Sequence, residues 1–165
     1  MRIIVADAGP LIALSRIDRL DILRRLFREV VIPAVVAGEL RLRERRPGIE
    51  SLAAAVFEDR WIVVRETDGF DPIAGLDDGE SAAISLSRQM RLPLLVDERR
   101  ARAAALARGI PVIGTGRILV EARRRKLIDS VAHELTALHR CGYRMSDALR
   151  GAILLLAGED GRSGR

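Results

Sequence analysis

The sequence predicts an α/β fold, a three-layer arrangement in which helices cover both faces of a five-stranded parallel sheet. Three observations predict it. Five short runs, at residues 3–6, 30–32, 61–64, 92–96 and 111–113, are apolar without alternation, as strands buried on both faces are. Helical stretches lie between them, which is the rhythm of βαβ units. The 165 residues, 48% hydrophobic and only 3% aromatic, suffice for one domain with a core of Leu, Ile, Val and Ala.

The elements follow in order. Residues 3–6 form the first strand. Residues 10–27 have helical spacing, Leu11, Ile12 and Leu14, then Leu20, Leu23, Leu26 and Phe27, with a break at Ile17-Asp18. Residues 30–32 are the second strand, stopped by Pro33. Residues 35–45 read as a helix whose last turn is crowded with arginines, suited to the negative end of its dipole. Pro47-Gly48 breaks the chain before a smaller helix at 49–57 and the third strand at 61–64. Residues 68–76 are a loop rich in Gly, Asp and Pro. The helix at 79–90 gathers Ala82, Ala83, Leu86 and Met90 on one side. Strands at 92–96 and 111–113 are separated by an alanine-rich helix at 99–108 and followed by a helix at 117–126. Extra C-terminal helices at 131–139 and 146–156 complete the domain, residues 1–157. Residues 158–165, small and polar, read as a flexible tail. There is no internal repeat.

The net charge is +5, and Lys126 is the one lysine among 28 basic residues. Arginine forks match phosphate geometry and favour a polyanionic partner, although solvated surface accounts for most of them equally well. Cys141 stands alone, so no internal disulfide forms, which fits a reducing cytoplasm. Met1-Arg2-Ile3 runs straight into a strand with no signal-peptide pattern. No apolar run approaches the ~20 residues of a membrane span, so no membrane partner is expected.

Four carboxylates carry the functional reading. Asp7 ends the first apolar run and Asp97 the fourth. In open α/β sheets, ligands bind beyond the carboxyl ends of the strands, where the strand order reverses. With the common order 3-2-1-4-5, those two strands flank the reversal and the two aspartates face each other across a crevice. Glu39, in the helix after strand two, and Glu80, beginning the helix before strand four, can reach the same rim. Each acid also has an ordinary structural role. Asp7-Ala8-Gly9-Pro10 is a turn into a helix. Glu39 and Arg43 are spaced as a helix ion pair. Asp77 and Glu80 have the spacing of a capping box, and Asp97 can cap the helix that begins at Glu98. Placed together, four anions repel. A hard divalent cation, Mg²⁺ or Mn²⁺, relieves that repulsion and points to chemistry on phosphates.

Other motifs are weaker. Arg99, Arg100 and Arg102 follow Asp97 and are candidates for phosphate contact. Gly114-Thr115-Gly116 could present amides to a phosphate, but Leu119 breaks the dinucleotide fingerprint, and Thr115 suits a helix N-cap better. The basic run Arg123-Arg124-Arg125-Lys126 sits on a helix end. His133 and His139 are badly spaced for a shared metal, and the lone Trp61 gives little for base stacking. Phosphoryl transfer through Asp7 is disfavoured by Gly9, which stands where such enzymes often place a second acid.

Taken in order, these segments resemble the PIN-domain nucleases, including the VapC-type toxins, and one prokaryotic PIN subfamily in particular. The matching stretches are Val5-Ala6-Asp7-Ala8-Gly9-Pro10-Leu11-Ile12-Ala13-Leu14, Val35-Val36-Ala37-Gly38-Glu39-Leu40 and Asp77-Asp78-Gly79-Glu80-Ser81-Ala82-Ala83-Ile84. Leu95-Val96-Asp97-Glu98-Arg99-Arg100-Ala101-Arg102 and Gly114-Thr115-Gly116 follow. The resemblance implies the 3-2-1-4-5 sheet and Mg²⁺- or Mn²⁺-dependent cleavage of single-stranded RNA by a metal-activated water, leaving a 5′-phosphate. It assigns the catalytic and metal roles to Asp7, Glu39, Glu80 and Asp97; Arg99, Arg102 and Thr115 are the substrate contacts the residues themselves suggest. It further implies a small antitoxin partner and a homodimer, for which the face of residues 20–27 and the C-terminal helices offer surface. Two places depart from the pattern. Many relatives carry Ser or Thr two residues before the last aspartate or just after the first, where this chain has Leu95 and Ala8. An inactive PIN-like binding module is the alternative those departures suggest.

Overall fold

The computed structural model describes residues 3–44, 46–67 and 69–159. Strands β1 (Ile3–Ala6), β2 (Glu29–Pro33), β3 (Ile62–Arg65), β4 (Leu94–Leu95) and β5 (Val112–Ile113) form one parallel sheet in the order β3-β2-β1-β4-β5. The order reverses between β1 and β4, whose register pairs Val5 with Leu94 and Ala6 with Leu95. The ladder continues past both strands, with the Asp7 amide donating to the Leu95 carbonyl (3.0 Å) and the Val96 amide to Ile113 (2.9 Å).

Nine helices cover the sheet among the described residues: α1 (Ala8–Arg16), α2 (Asp21–Leu26), α3 (Ala34–Leu40), α4 (Ile49–Ala53), α5 (Asp78–Met90), α6 (Arg99–Leu106), α7 (Thr115–Arg124), α8 (Val131–Arg140) and α9 (Asp147–Ala157). A π-helical turn, Ala54–Glu58, extends α4. Side-chain alternation along the strands divides the core. Ile4, Ala6 and Leu95 face a large cluster with α1–α4 and α7–α9, whereas Val5, Leu94 and Val96 face a smaller one with α5 and α6. Asp7 has the parity of Val5 and leaves the sheet toward α5. Asp97 has the parity of Leu95 and leaves it toward α7. No helix is long and apolar enough to cross a membrane among the described residues.

Several expectations are corrected. The helix expected over 35–45 ends at Leu40, because Arg41 takes a left-handed conformation (φ 48°). The arginines therefore lie beyond the helix, and the Glu39–Arg43 spacing never becomes a helical pair. The face of residues 20–27 does not offer a dimer surface, since Leu20, Leu23, Leu26 and Phe27 are all buried. Glu159, expected in the tail, is held by hydrogen bonds. Glu159 accepts from the amides of Val131 and Ala132 (both 2.8 Å) and the Ser130 hydroxyl (2.9 Å), fastening the end of α9 to the start of α8. The rest of the expected tail, residues 160–165, lies outside the described residues.

Candidate active site

Asp7 sits where β1 turns into α1 and is only 8% exposed. Its side chain makes no capping bond to α1. Burial, then the charges of Asp77 and Asp97, push its carboxyl above the usual range, while the Ala8 and Gly9 amides pull the other way. Glu80, 9% exposed, lies one turn into α5. Its amide donates to Asp77 Oδ1 (2.8 Å) and its Oε2 accepts from the Asp77 amide (3.0 Å). The expected capping box is therefore real, and it uses one oxygen of each carboxylate. The other oxygen of each is left for a ligand, so capping and site roles coexist. Burial, with the charges of Asp77, Asp7 and Glu98, raises the Glu80 carboxyl against the pull of the Asp77 amide.

Glu39, in the last turn of α3, is exposed at the rim. Its carboxylate lies against the Cα of Gly79 at the start of α5, where any Cβ would overlap it. Partial burial, then the charges of Asp77 and Asp7, push it up to about 7. Because Glu39 is open to water on one side, the neighbouring charges are the cause a bound cation would remove. Asp77 acts on all three acids, although its sequence position suggested only an N-cap. The one signal available was its spacing from Glu80.

Asp97 is held differently. Its Oδ1 accepts from the Thr115 amide (2.8 Å) and its Oδ2 from the Thr115 hydroxyl (2.6 Å), at the first residue of α7. It does not cap α6; Glu98 does, accepting from the Ala101 amide (2.8 Å). Nor does Thr115 cap α7, where Gly114 is the N-cap. Thr115 is fully buried with its hydroxyl spent on Asp97, so it is no substrate contact. A cavity of about 690 Å³ opens beside Asp97, lined by Arg99, Arg102, Arg117 and Tyr143 among others. Arg102 is pinned there by donating to the Val96 carbonyl (3.0 Å). Gly116 permits α9 to approach, because a Cβ there would overlap the Ile153 side chain.

The structure thus gathers Asp7, Glu39 and Glu80, adds Asp77, and sets Asp97 on the opposite wall, tied to α7. No ion pair to any of these five acids forms among the described residues. Oxygen-only donors and mutual repulsion, with no direct ion pair, suit a hard divalent cation. Among the described residues no three acidic, His or Cys side chains stand together as a metal cage. The fit to such an ion lies in the oxygen-only chemistry of the donors, which do not converge on one point.

A parallel sheet ordered 3-2-1-4-5, helices on both faces and acids at its reversal point define a nuclease-like α/β domain with extra C-terminal helices. The chain matches the family DUF3368, described as a PIN domain, over residues 3–159, and it belongs to that family. Among solved structures it is similar to a PilT N-terminus domain protein, SSO1118, from the hyperthermophilic archaeon Sulfolobus solfataricus P2. That likeness has 19% identity and a TM-score of 0.55, covering 73% of this chain and 92% of the other, and it concerns the fold alone. No curated protein matches the chain.

Proposed function

We propose that this PIN domain is a divalent-metal-dependent endoribonuclease that cleaves single-stranded RNA by attack of water on the phosphodiester. One observation carries the reading. Asp7 is a buried carboxylate raised by burial and by its acidic neighbours, in a chain whose 28 basic residues supply it no ion pair among the described residues. That charge is kept for a cation the chain does not provide. Asp7, Glu39, Glu80 and Asp97 would hold Mg²⁺ or Mn²⁺. Such an ion supplies positive charge to the phosphate oxygens and acidity to the attacking water. Arg99 and Arg102, on the cavity beside Asp97, neutralise RNA phosphates. Trp61 is buried away from that cavity and offers no stacking platform.

The same reading makes the protein a toxin restrained in the cytoplasm by a small antitoxin. The exposed Leu106, Leu149, Leu155 and Leu156 on α6 and α9 favour a protein partner, the antitoxin or a second copy in a homodimer. The test is cleavage of single-stranded and structured RNA with Mn²⁺ and with chelator. Metal-dependent cutting of the single strand, lost in the Asp7→Asn/Asp97→Asn double variant, is expected; cutting that persists in that variant points to contamination. A second reading, a PIN-like module that binds RNA or protein without cutting, is favoured by the lack of a ready metal cage among the described residues. It predicts salt-dependent RNA binding with no Mn²⁺ uptake.

A further inference from the structure

We propose that the cavity beside Asp97 is a nucleoside subsite: its apolar floor takes one unpaired base of the RNA strand, and its arginines take the phosphates beside that base. The inference rests on the nuclease reading and deepens it. The cavity, about 690 Å³, falls within the roughly 300–1,000 Å³ of small-ligand sites. It lies where α6, the start of α7, the α8–α9 connection and α9 meet. Arg99, Arg102, Arg117 and Arg144 line it, and none of the four forms an ion pair among the described residues. The two acids in its wall are already hydrogen-bonded, Asp97 by the Thr115 amide and hydroxyl and Glu98 by the Ala101 amide. Four guanidiniums against two engaged carboxylates leave positive charge for an anion from outside. One of them is fixed in advance, since Arg102 donates to the Val96 carbonyl (3.0 Å).

Phosphate alone does not account for the rest of the wall. Val120 and Ile153 are buried in it, Tyr143 and Met145 are half-buried, and Leu106 on α6 and Leu149 on α9 are exposed. A ligand gains from covering that apolar surface when it carries a flat apolar body along with its charge, as a nucleotide of a single strand does. Unpaired bases stack on aromatic rings and guanidinium planes, and Tyr143 and the arginines supply both groups. An acidic protein helix would match the charge as well. Position favours RNA, because Asp97 itself lines the cavity. A strand whose scissile phosphate lies in the acidic crevice therefore has a neighbouring nucleotide here.

The experiment measures binding of short single-stranded RNA oligonucleotides to the full-length chain at low salt with chelator, so that no metal-dependent cleavage consumes the probe. An abasic ribose replaces each nucleotide in turn. The Met145 methyl ¹³C resonance, assigned by its loss in Met145→Leu, reports on the cavity. Loss of the base at one position should weaken binding about tenfold, the scale of one base stack, and should leave the Met145 signal unmoved by RNA. Ala152→Trp, which fills the cavity from an exposed position on α9, should cost about as much and abolish the dependence on that base, with the thermal midpoint unchanged. Arg144→Ala should weaken every probe alike and lessen the salt dependence. Equal losses at all positions would make the cavity a phosphate track, and native RNA binding in Ala152→Trp would leave it to a protein segment. Either result overturns the proposal, as does a native chain that binds no RNA. If the native chain fails to cut RNA with Mn²⁺ while the base dependence holds, the nuclease reading fails and the subsite stands; cutting without base dependence does the reverse.

Discussion

The two walls of the crevice solve the problem of holding carboxylates in opposite ways. On the α3–α5 wall, Asp7, Glu39, Asp77 and Glu80 lie near one another, and burial first, then their charges, raise Asp7, Glu39 and Glu80 toward protonation. On the α7 wall, Asp97 stands apart and is met by the Thr115 amide and hydroxyl. The acids of the first wall have no ion pair among the described residues, and the acid of the second is met by hydrogen bonds. Strand parity creates the difference by sending Asp7 toward α5 and Asp97 toward α7. In the proposed cation site, hydrogen bonds would fix one carboxylate in advance and unsatisfied charge would supply the affinity of the other wall.

The largest expected effect comes from neutralising the crowded wall. Asp7→Asn should lower cleavage on the order of 1000-fold, the loss of several kcal/mol of charge stabilisation. It should also raise the thermal midpoint of the metal-free protein, because a buried, repelled anion is gone. A lower midpoint would mean that the wall is not under charge strain. On the satisfied wall, Gly116→Ala drives a Cβ into Ile153 and should destabilise the fold by about 1–3 kcal/mol through overpacking of α7 on α9. Denaturant melts measure that loss directly.

Gly79→Ala separates stability from function on the crowded wall. The atoms nearest its Cβ are the far end of the flexible Glu39 side chain, and alanine favours a helix by roughly 1 kcal/mol over glycine. Stability should hold or rise while Glu39 is displaced and cleavage falls about tenfold, the scale of a misplaced metal-site group. The smallest effect is in pH. Glu39, near 4.5 when unfolded and about 7 when folded, binds its proton more tightly in the native state. Its contribution to stability is present at low pH and lost as pH rises through 7. Thermal melts of the metal-free protein should drop by about 2–4 °C between pH 5 and 8, the shift given by ~1 kcal/mol in a domain of this size after screening of the rim position. Added Mn²⁺ should restore the midpoint most at pH 8.

Much of the fold was legible in the sequence because the strands are written as apolar runs, unbroken in the buried central strands β1, β2 and β4, and Asp18 marks the expected break with its left-handed φ of 56°. The early end of α3 was not legible, since Arg41 adopts a left-handed cap without the glycine or asparagine that would announce it. Asp7 and Asp97 could be placed at the strand tips from their positions alone. Their different partners depended on which face each side chain takes, and the Asp97 clamp joins residues far apart in the chain. Asp77 was hidden by its own visible role, since a capping residue offers no sequence sign that its second oxygen is free.

The claim that the crowded acids form a cation site is tested most directly by calorimetric titration of the native protein with Mn²⁺ at pH 7 in buffers of different ionisation enthalpy. Because Glu39 is partly protonated at that pH, binding should release a fraction of a proton, the release should shrink at pH 8, and Asp7→Asn should abolish the binding heat. No binding heat in the native protein, or binding that is unchanged in Asp7→Asn, would contradict it.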